Sequence, residues 1–183
     1  SEPATEQIDE LINFYNQGRF EEVLSKVKPV IDLFPKEVTL RNLQGVSNAA
    51  LQRYDAAIDS YRQAIKINPY YADSYSNMGS ALKGKGYLDA AIDSYKQALK
   101  IKPDYAEAYY NMGISLHEKG NLDAAIESYK QALKIKPNYA ECYSNLGVAF
   151  QDKGDLDAAI DSYKQALKIK PDYAECFVNR ESL

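Results

Sequence analysis

Apolar residues recur along this chain at spacings of three and four, the period of one face of an α-helix. In the segment 106–139 the first such stripe consists of Tyr109, Met112 and Leu116. A second stripe follows after Gly120 and Asn121, and it consists of Leu122, Ala125, Ile126, Tyr129, Ala132 and Leu133. Pro137 ends it, because the residue before a proline avoids helical backbone angles. The segment is therefore predicted to form two antiparallel helices joined by a tight turn.

The same pattern returns every 34 residues. Residues 88–107 read LDAAIDSYKQALKIKPDYAE and recur unchanged at 156–175, and residues 122–141 differ from them only at Glu127 and Asn138. Such a period is typical of arrays of supersecondary units, which bury their apolar stripes by stacking on neighbours. Repeated copies favour a stacked scaffold over a convergent reaction centre. The residues that keep this step include Pro35, Pro69, Pro103, Pro137 and Pro171, and Gly45, Gly79, Gly113 and Gly147.

The repeated residues also predict how each hairpin packs and where it starts. Gly113 and Ala125 leave room beside bulky tyrosines, which indicates large-against-small packing. Acidic or amide residues followed three positions later by Glu indicate capping boxes at the first helices. These pairs are Asp104 with Glu107, Asn138 with Glu141, and Asp172 with Glu175.

Composition and charge exclude several classes of protein. The formal net charge is −4, and all of it lies in residues 1–37, which hold eight acidic and four basic residues. Without a basic cluster, nucleic acid is not an expected partner. No apolar run approaches the ~20 residues of a membrane span, and no signal peptide is visible. Cys142 and Cys176 lie on equivalent positions of successive hairpins, too far apart for a disulfide, and two free thiols favour a cytoplasmic location.

The repeat resembles the tetratricopeptide repeat (TPR) family. Residues 72–105 carry its pattern of aromatic, Leu-Gly, aromatic, Ala, aromatic, Ala and Pro in Tyr75, Met78, Gly79, Leu82, Ala91, Tyr95, Ala98 and Pro103. In style the repeats are closest to the TPR arrays of O-GlcNAc-transferase-like and related bacterial proteins. The resemblance implies an all-α fold, an α-α superhelix in which a right-handed solenoid places the first helices on the concave side. A single array over 1–183 is expected, with repeats at 4–37, 38–71, 72–105, 106–139 and 140–173, and a partial sixth first helix at 174–183.

The ends of the array depart from the pattern. In the second repeat Arg41, Gln44 and Asn48 replace apolar residues, so Leu40, Leu43 and Val46 are expected to carry the packing. In the first repeat Pro29 is expected to lie inside the second helix and to kink it. The last complete repeat lacks an evident cap, which predicts exposed apolar surface there, and hence self-association or a longer parent protein.

Differences between repeats are concentrated on one face of the first helices. Residues one turn apart on a helix share a face. The candidate binding residues on this face are Ser80, Ile114 and Val148, then Lys83, His117 and Gln151, then Glu118 and Asp152, together with Tyr110.

One polar residue of this face recurs in a ladder formed by Asn77, Asn111, Asn145 and Asn179. An amide pairs with both the N–H and the C=O of an extended backbone. This ladder resembles that of the TPR region of O-GlcNAc transferases, which implies a role in binding peptide. The alternative is that each asparagine bonds a neighbouring helix.

Acidic residues lie one turn before the asparagines, at Asp73, Glu107, Glu141 and Glu175. They are interpreted as helix-dipole partners, or alternatively as a preference for basic ligands. Because the basic residues of the family's carboxylate clamp are absent from these positions, no binding of an acidic C-terminal tail is expected. His117, the only histidine, lacks a paired nucleophile, so a surface or ligand-contact role is expected for it.

The sequence thus predicts a non-enzymatic protein-interaction module that binds an extended peptide or a partner helix in its concave groove. No catalytic residue, metal site or cofactor is expected. The alternatives are a substrate-docking segment of a larger transferase, and a scaffold that forms homo-oligomers through its C-terminal edge.

Overall fold

The computed structural model describes residues 2–171, with side chains from Thr5 onwards, and every regular element in that range is an α-helix. The helices fall into two compact units, residues 1–103 and 104–183, which are described separately. Unit 1 contains α1 (Glu2–Asn16), α2 (Phe20–Leu33), α3 (Val38–Ala50), α4 (Tyr54–Ile67), α5 (Ala72–Gly84) and α6 (Leu88–Ile101). Unit 2 contains α7 (Ala106–Glu118), α8 (Leu122–Ile135), α9 (Ala140–Lys153) and α10 (Leu156–Ile169). The all-α prediction is confirmed, and the fold is a solenoid of helix-turn-helix repeats.

Each odd-numbered helix packs against the even-numbered helix that follows it. The first helices of successive repeats also contact one another within each unit, α1 with α3, α3 with α5, and α7 with α9. We call the surface that these first helices form in each unit the first-helix face.

A glycine in the left-handed region closes most of the hairpin turns. Gly120, for example, has φ of +79° and donates its N–H to the carbonyl of His117 at 2.8 Å. The turn between α3 and α4 places Gln52 at the equivalent position, with φ of +58°. A residue with a Cβ is strained in this conformation, so one turn of the array stores backbone strain that the others avoid.

The glycine inside each first helix lets a tyrosine of the second helix lie against its backbone. A Cβ placed on Gly113 would be 2.6 Å from Cε1 of Tyr129, whose side chain is buried. The same arrangement pairs Gly45 with Tyr61, Gly79 with Tyr95, and Gly147 with Tyr163. The predicted large-against-small packing is therefore confirmed.

The departures predicted near the N-terminus are also accommodated by packing. Leu40 and Leu43 are buried with residues of α1 and α2, and Val46 packs beside them. Pro29 lies inside α2, which continues to Leu33. Leu11, at the position of the helical glycines, is 2% exposed, so an aliphatic side chain fills the space that a tyrosine fills elsewhere.

The predicted capping boxes are wrong. Helices α7 and α9 begin at Ala106 and Ala140, their N-cap residues are Tyr105 and Tyr139, and neither makes a side-chain capping bond. Asp104 and Asn138 thus precede the capping position by one residue, while the Asp172 pair lies outside the described residues. The reason is packing, because the Tyr139 ring lies against Tyr110 at a centroid distance of 4.8 Å.

Candidate functional site

The sequence-predicted binding residues all lie on first helices, apart from Asn179, which is outside the described residues. Their side chains are exposed or half-buried. Unit 1 places three of them on α5, and unit 2 places the others on α7 and α9. They are Asn77, Ser80 and Lys83 in unit 1, and Tyr110, Asn111, Ile114, His117, Glu118, Asn145, Val148, Gln151 and Asp152 in unit 2.

Two asparagines of the ladder, Asn77 and Asn145, use their amides to bond the preceding first helix. Asn145 Nδ2 donates to the hydroxyl of Tyr110 at 2.9 Å, from α9 to α7. Asn77 Nδ2 donates to Oδ1 of Asn42 at 3.2 Å, from α5 to α3, and the Ser74 hydroxyl donates to the same oxygen at 3.3 Å. The alternative in which asparagine bonds a neighbouring helix therefore holds for these two residues. Each bond uses one of the two N–H groups and leaves the carbonyl oxygen for another partner.

Tyrosine hydroxyls of the second helices reach candidate residues on the first helices. The hydroxyl oxygens of Ser80 and Tyr95 are 3.1 Å apart. In unit 2 the Tyr163 hydroxyl donates to Oε1 of Gln151 at 2.9 Å. Sequence reasoning assigned the tyrosines to the core and missed these contacts, although the helical glycine opposite each tyrosine was a signal for them.

A contact between a histidine and an aspartate joins α7 and α9 within unit 2. Nε2 of His117 lies 2.7 Å from Oδ2 of Asp152, and their side chains are 22% and 51% exposed. The two residues are 35 positions apart, so the contact connects successive repeats rather than successive turns of one helix. Both are candidate binding residues, and their contact places them side by side on the first-helix face of unit 2.

The acidic residues at the start of the first helices are partnered within their own repeats. Glu107 lies 3.6 Å from Nζ of Lys136, and Glu141 lies 3.9 Å from Nζ of Lys170. Both acids are in the first turn of their helix, where a negative charge complements the helix dipole. This placement favours the dipole interpretation over direct recognition of a basic ligand.

Three tyrosines form an aromatic cluster at the beginning of α9. The ring of Tyr110 lies 4.8 Å from that of Tyr139 and 6.1 Å from that of Tyr129, measured between centroids. Burial is the main cause that raises the pKa of Tyr129 and of Tyr139 above the ordinary value of tyrosine. These phenols therefore remain protonated near neutral pH and act as neutral hydrogen-bonding groups.

The cysteine of unit 2 is a packing residue. The Cys142 side chain is fully buried, its thiol donates to the backbone carbonyl of Tyr129 at 3.4 Å, and burial raises its pKa to about 12. Within residues 2–171 no group of histidine, cysteine and acidic side chains is placed to hold a metal ion. None of the helices in that range is long and apolar enough to cross a membrane.

Unit 1 contains a cavity that the sequence analysis did not predict. Its volume is about 280 Å³, and residues of α1, α3, α4 and α5 line it, among them Asn77 and Ser80 of the candidate set. Ala49 also lines it, and the equivalent residues of the later repeats are Lys83, His117 and Gln151. A signal was therefore present in the sequence, because the second repeat places the shortest of these side chains on the first-helix face.

Comparisons with known proteins place these features in a family. The family model described as TPR repeat matches residues 48–86, 85–120 and 115–154, and the model described as Tetratricopeptide repeat matches residues 140–173. No curated protein matches the chain.

Several solved structures are similar. The crystal structure of MamA is 28% identical over 89% of this chain and 95% of that chain, with a TM-score of 0.79. TTC0263, a thermophilic TPR protein of Thermus thermophilus, is 23% identical over 98% of this chain and 97% of that chain, with a TM-score of 0.77. YrrB, described as a TPR protein with an unusual peptide-binding site, is 20% identical over 97% of this chain and 91% of that chain, with a TM-score of 0.75. With the family models matching well over half of its residues, the chain belongs to the tetratricopeptide repeat family.

Proposed function

We propose that this chain is a protein-interaction module that binds an extended peptide segment along its first-helix face, with no chemistry of its own. The tetratricopeptide repeat fold supports a protein–protein interaction module in general. We propose further that the first-helix face is the binding surface and that the asparagine ladder holds the ligand.

The observation that carries the proposal is the uneven distribution of differences between repeats. The second helices α6 and α10 are identical in sequence, and α8 differs from them at one residue. The first helices α5, α7 and α9 differ at most positions of one face, where serine, isoleucine and valine alternate, and where lysine, histidine and glutamine alternate. Buried positions also differ, but they exchange residues of similar size, such as Ser74, Ala108 and Cys142. The changes on this face are larger in size and charge, which favours recognition of a ligand that is not itself a repeat.

The asparagine ladder suits a peptide backbone. The bond from Asn145 to Tyr110 holds the amide in one orientation before any ligand arrives, which reduces the entropy lost on binding. Its carbonyl oxygen accepts from a peptide N–H, and its second N–H donates to a peptide C=O. Helices that pack ~10 Å apart match about three residues of extended chain at ~3.3 Å each. This spacing supports the proposal of one amide contact per repeat.

The experiment compares three forms of the whole chain on an array of peptides: wild type, the double variant Asn111→Ala/Asn145→Ala, and the single variant Tyr110→Phe. Tyr110→Phe removes the hydroxyl that holds the Asn145 amide but keeps the amide itself. We expect the double variant to lose most peptide binding and Tyr110→Phe to weaken it by less than tenfold. Unchanged binding by the double variant would show that the asparagines are structural only, and the proposal would be wrong.

A second candidate function, self-association, rests on the exposed apolar surface of α10. Ile160 is 49% exposed, whereas its equivalents Ile58 and Ile126 are 5% and 6% exposed. Leu156 and Ile169 on the same helix are 61% and 38% exposed. Light scattering across a concentration series tests this candidate. Association that Ile160→Ser abolishes would support it, and a monomer at all concentrations would exclude it.

A further inference from the structure

The cavity of unit 1 lies on the same face as the asparagine ladder but has a different character. Three tyrosines from two helices contribute to its walls, Tyr15 from α1 and Tyr54 and Tyr61 from α4. Val46 and Ala49 of α3 add aliphatic surface, and Asn77 of α5 adds an amide. None of the side chains that line the cavity is charged.

The geometry points to a specificity pocket for one aromatic side chain of the bound peptide, and this inference rests on the proposed function. The volume is the first argument. A cavity of about 150 Å³ is enough to hold a benzene molecule, and the cavity here measures about 280 Å³. It is slightly smaller than the ~300 Å³ at which pockets for free small molecules begin. The space thus suits one large side chain together with the backbone that carries it.

The chemistry of the walls is the second argument. A charged side chain would lose its hydration in this cavity without gaining an opposite charge, which disfavours Lys, Arg, Asp and Glu. Aromatic rings attract one another edge to face and in offset stacks, and three tyrosine rings offer such partners. The Asn77 amide donates one N–H to Asn42, which leaves its oxygen to accept from an indole N–H or a phenol O–H. Tryptophan and tyrosine therefore fit better than leucine or valine.

The difference between repeats is the third argument. The pocket is open because α3 ends with Ala49 and Ala50 on this face. The residues 34 positions after them are Lys83 and Gly84, and in the fourth repeat they are His117 and Glu118. The Tyr54 ring lines the cavity because it packs directly against Gly84. A Cβ at position 84 would lie 2.6 Å from Cζ of the ring and would displace it. Ala49 and Ala50 of the second repeat and Gly84 of the third thus leave the cavity unfilled.

The chain itself supplies the variants that close the pocket. Ala49→Gln introduces the side chain that Gln151 carries at the equivalent helical position, three repeats later. Ala50→Glu introduces the residue that Glu118 provides at the equivalent position, two repeats later. Ala90→Gln places the same glutamine at an exposed position of α6 that does not line the cavity, and it serves as the control.

The experiment measures the affinity of the whole chain for peptides selected from a random library. In each selected peptide, residues are replaced in turn by alanine, leucine and lysine. We expect one aromatic position whose replacement by alanine weakens binding by about 10- to 100-fold, the loss typical of a central anchor residue. Ala49→Gln and Ala50→Glu should weaken the parent peptide to the same degree and abolish the advantage of the aromatic residue, while Ala90→Gln should change neither.

The outcomes separate the pocket from the proposed function. Peptides that depend on Asn111 and Asn145, but show no aromatic requirement and no effect of Ala49→Gln, would overturn the pocket and leave the peptide-binding function standing. If no peptide binds, the proposed function fails, and N-acetyltryptophanamide then serves as the probe. Shifts of the Ala50 and Ala81 methyl resonances that Ala49→Gln abolishes would then mark a site for a free aromatic molecule, and a peptide would not be the occupant.

Discussion

Substitution of Gly113 by alanine tests the central packing contact of the fold. Alanine favours a helix over glycine by about 1 kcal/mol, so a purely local view predicts that Gly113→Ala stabilises α7. The structure predicts the opposite. The new methyl group would lie 2.6 Å from Cε1 and 2.7 Å from Cδ1 of the Tyr129 ring, closer than real Cβ contacts. These are atoms along the body of the ring, and the side chain is only 1% exposed, so the ring has little space to move.

The magnitude follows from that overlap. Ordinary contact begins at 3.4 Å, so the ring must retreat by about 0.8 Å, and overpacking of a buried site costs about 1–3 kcal/mol. A displacement of this size corresponds to the upper end of the overpacking cost, about 3 kcal/mol. After the gain in helix propensity, the net loss of unfolding free energy is about 2 kcal/mol. In a background that carries Tyr129→Ala the overlap is absent, so Gly113→Ala should stabilise the protein by about 1 kcal/mol.

The assay is urea denaturation of the four members of this double-mutant cycle, followed by circular dichroism. The expected coupling free energy between the two sites is about 3 kcal/mol, and the sign of the Gly113→Ala effect reverses between the two backgrounds. If Gly113→Ala stabilised the wild type, or had the same effect in both backgrounds, the glycine would not be required by its tyrosine, and the packing argument would be refuted.

The remaining predictions concern a turn, a thiol, an ion pair and a ligand. Gln52→Gly should raise the unfolding free energy by about 1 kcal/mol in urea denaturation, because it relieves a left-handed conformation that glycine adopts freely. In a Cys176→Ser background Cys142 should resist alkylation by iodoacetamide below pH 9. Since the thiol pKa rises from 9.0 to about 12 on folding, its contribution to stability should be complete below pH 9 and lost between pH 9 and about 12. A double-mutant cycle of His117 and Asp152 should give a coupling free energy below about 1 kcal/mol, since the pair is partly exposed. A peptide that ends in an acidic tail should not bind measurably in calorimetry, and tight, carboxylate-dependent binding would contradict this.

The helices of this protein could be predicted from the sequence because the signals are periodic and local. The apolar spacing around Tyr109 and Tyr129 favours a helix, and Pro137 favours an end, although Pro29 inside α2 shows that a helix can continue past a proline. The beginnings of the first helices were harder to predict. Asp104 has the chemistry of a capping residue, but Tyr105 takes the capping position with its side chain half-buried, and the capping bond, which is typically worth about 1 kcal/mol, is not made.

The candidate site was less predictable, because its contacts join residues that are distant in sequence. The position of Asn145 on a variable face was evident, but its bond to Tyr110 depends on how two first helices approach each other. The cavity likewise depends on the turn that brings Tyr54 over Gly84. Comparison of equivalent positions indicates where side chains are short, whereas only three-dimensional packing determines whether a neighbour fills the space that they leave.

The constant second helix and the variable first helix of each repeat are not independent, because a constant tyrosine of the second helix contacts variable residues of the first. The second-helix tyrosine is constant because the helical glycine admits its ring, and the same contact carries its hydroxyl to the first helix. What the hydroxyl meets there is variable, since Tyr95 meets the Ser80 hydroxyl and Tyr163 donates to Gln151. Val148, the residue of α9 equivalent to Ser80, offers no hydrogen-bonding group, and the Tyr163 hydroxyl bonds instead to Gln151, one turn further along the helix. One packing rule thus supplies a tyrosine hydroxyl to each repeat that has the helical glycine, and the first-helix sequence decides which side chain it meets, as Ser80 and Gln151 show.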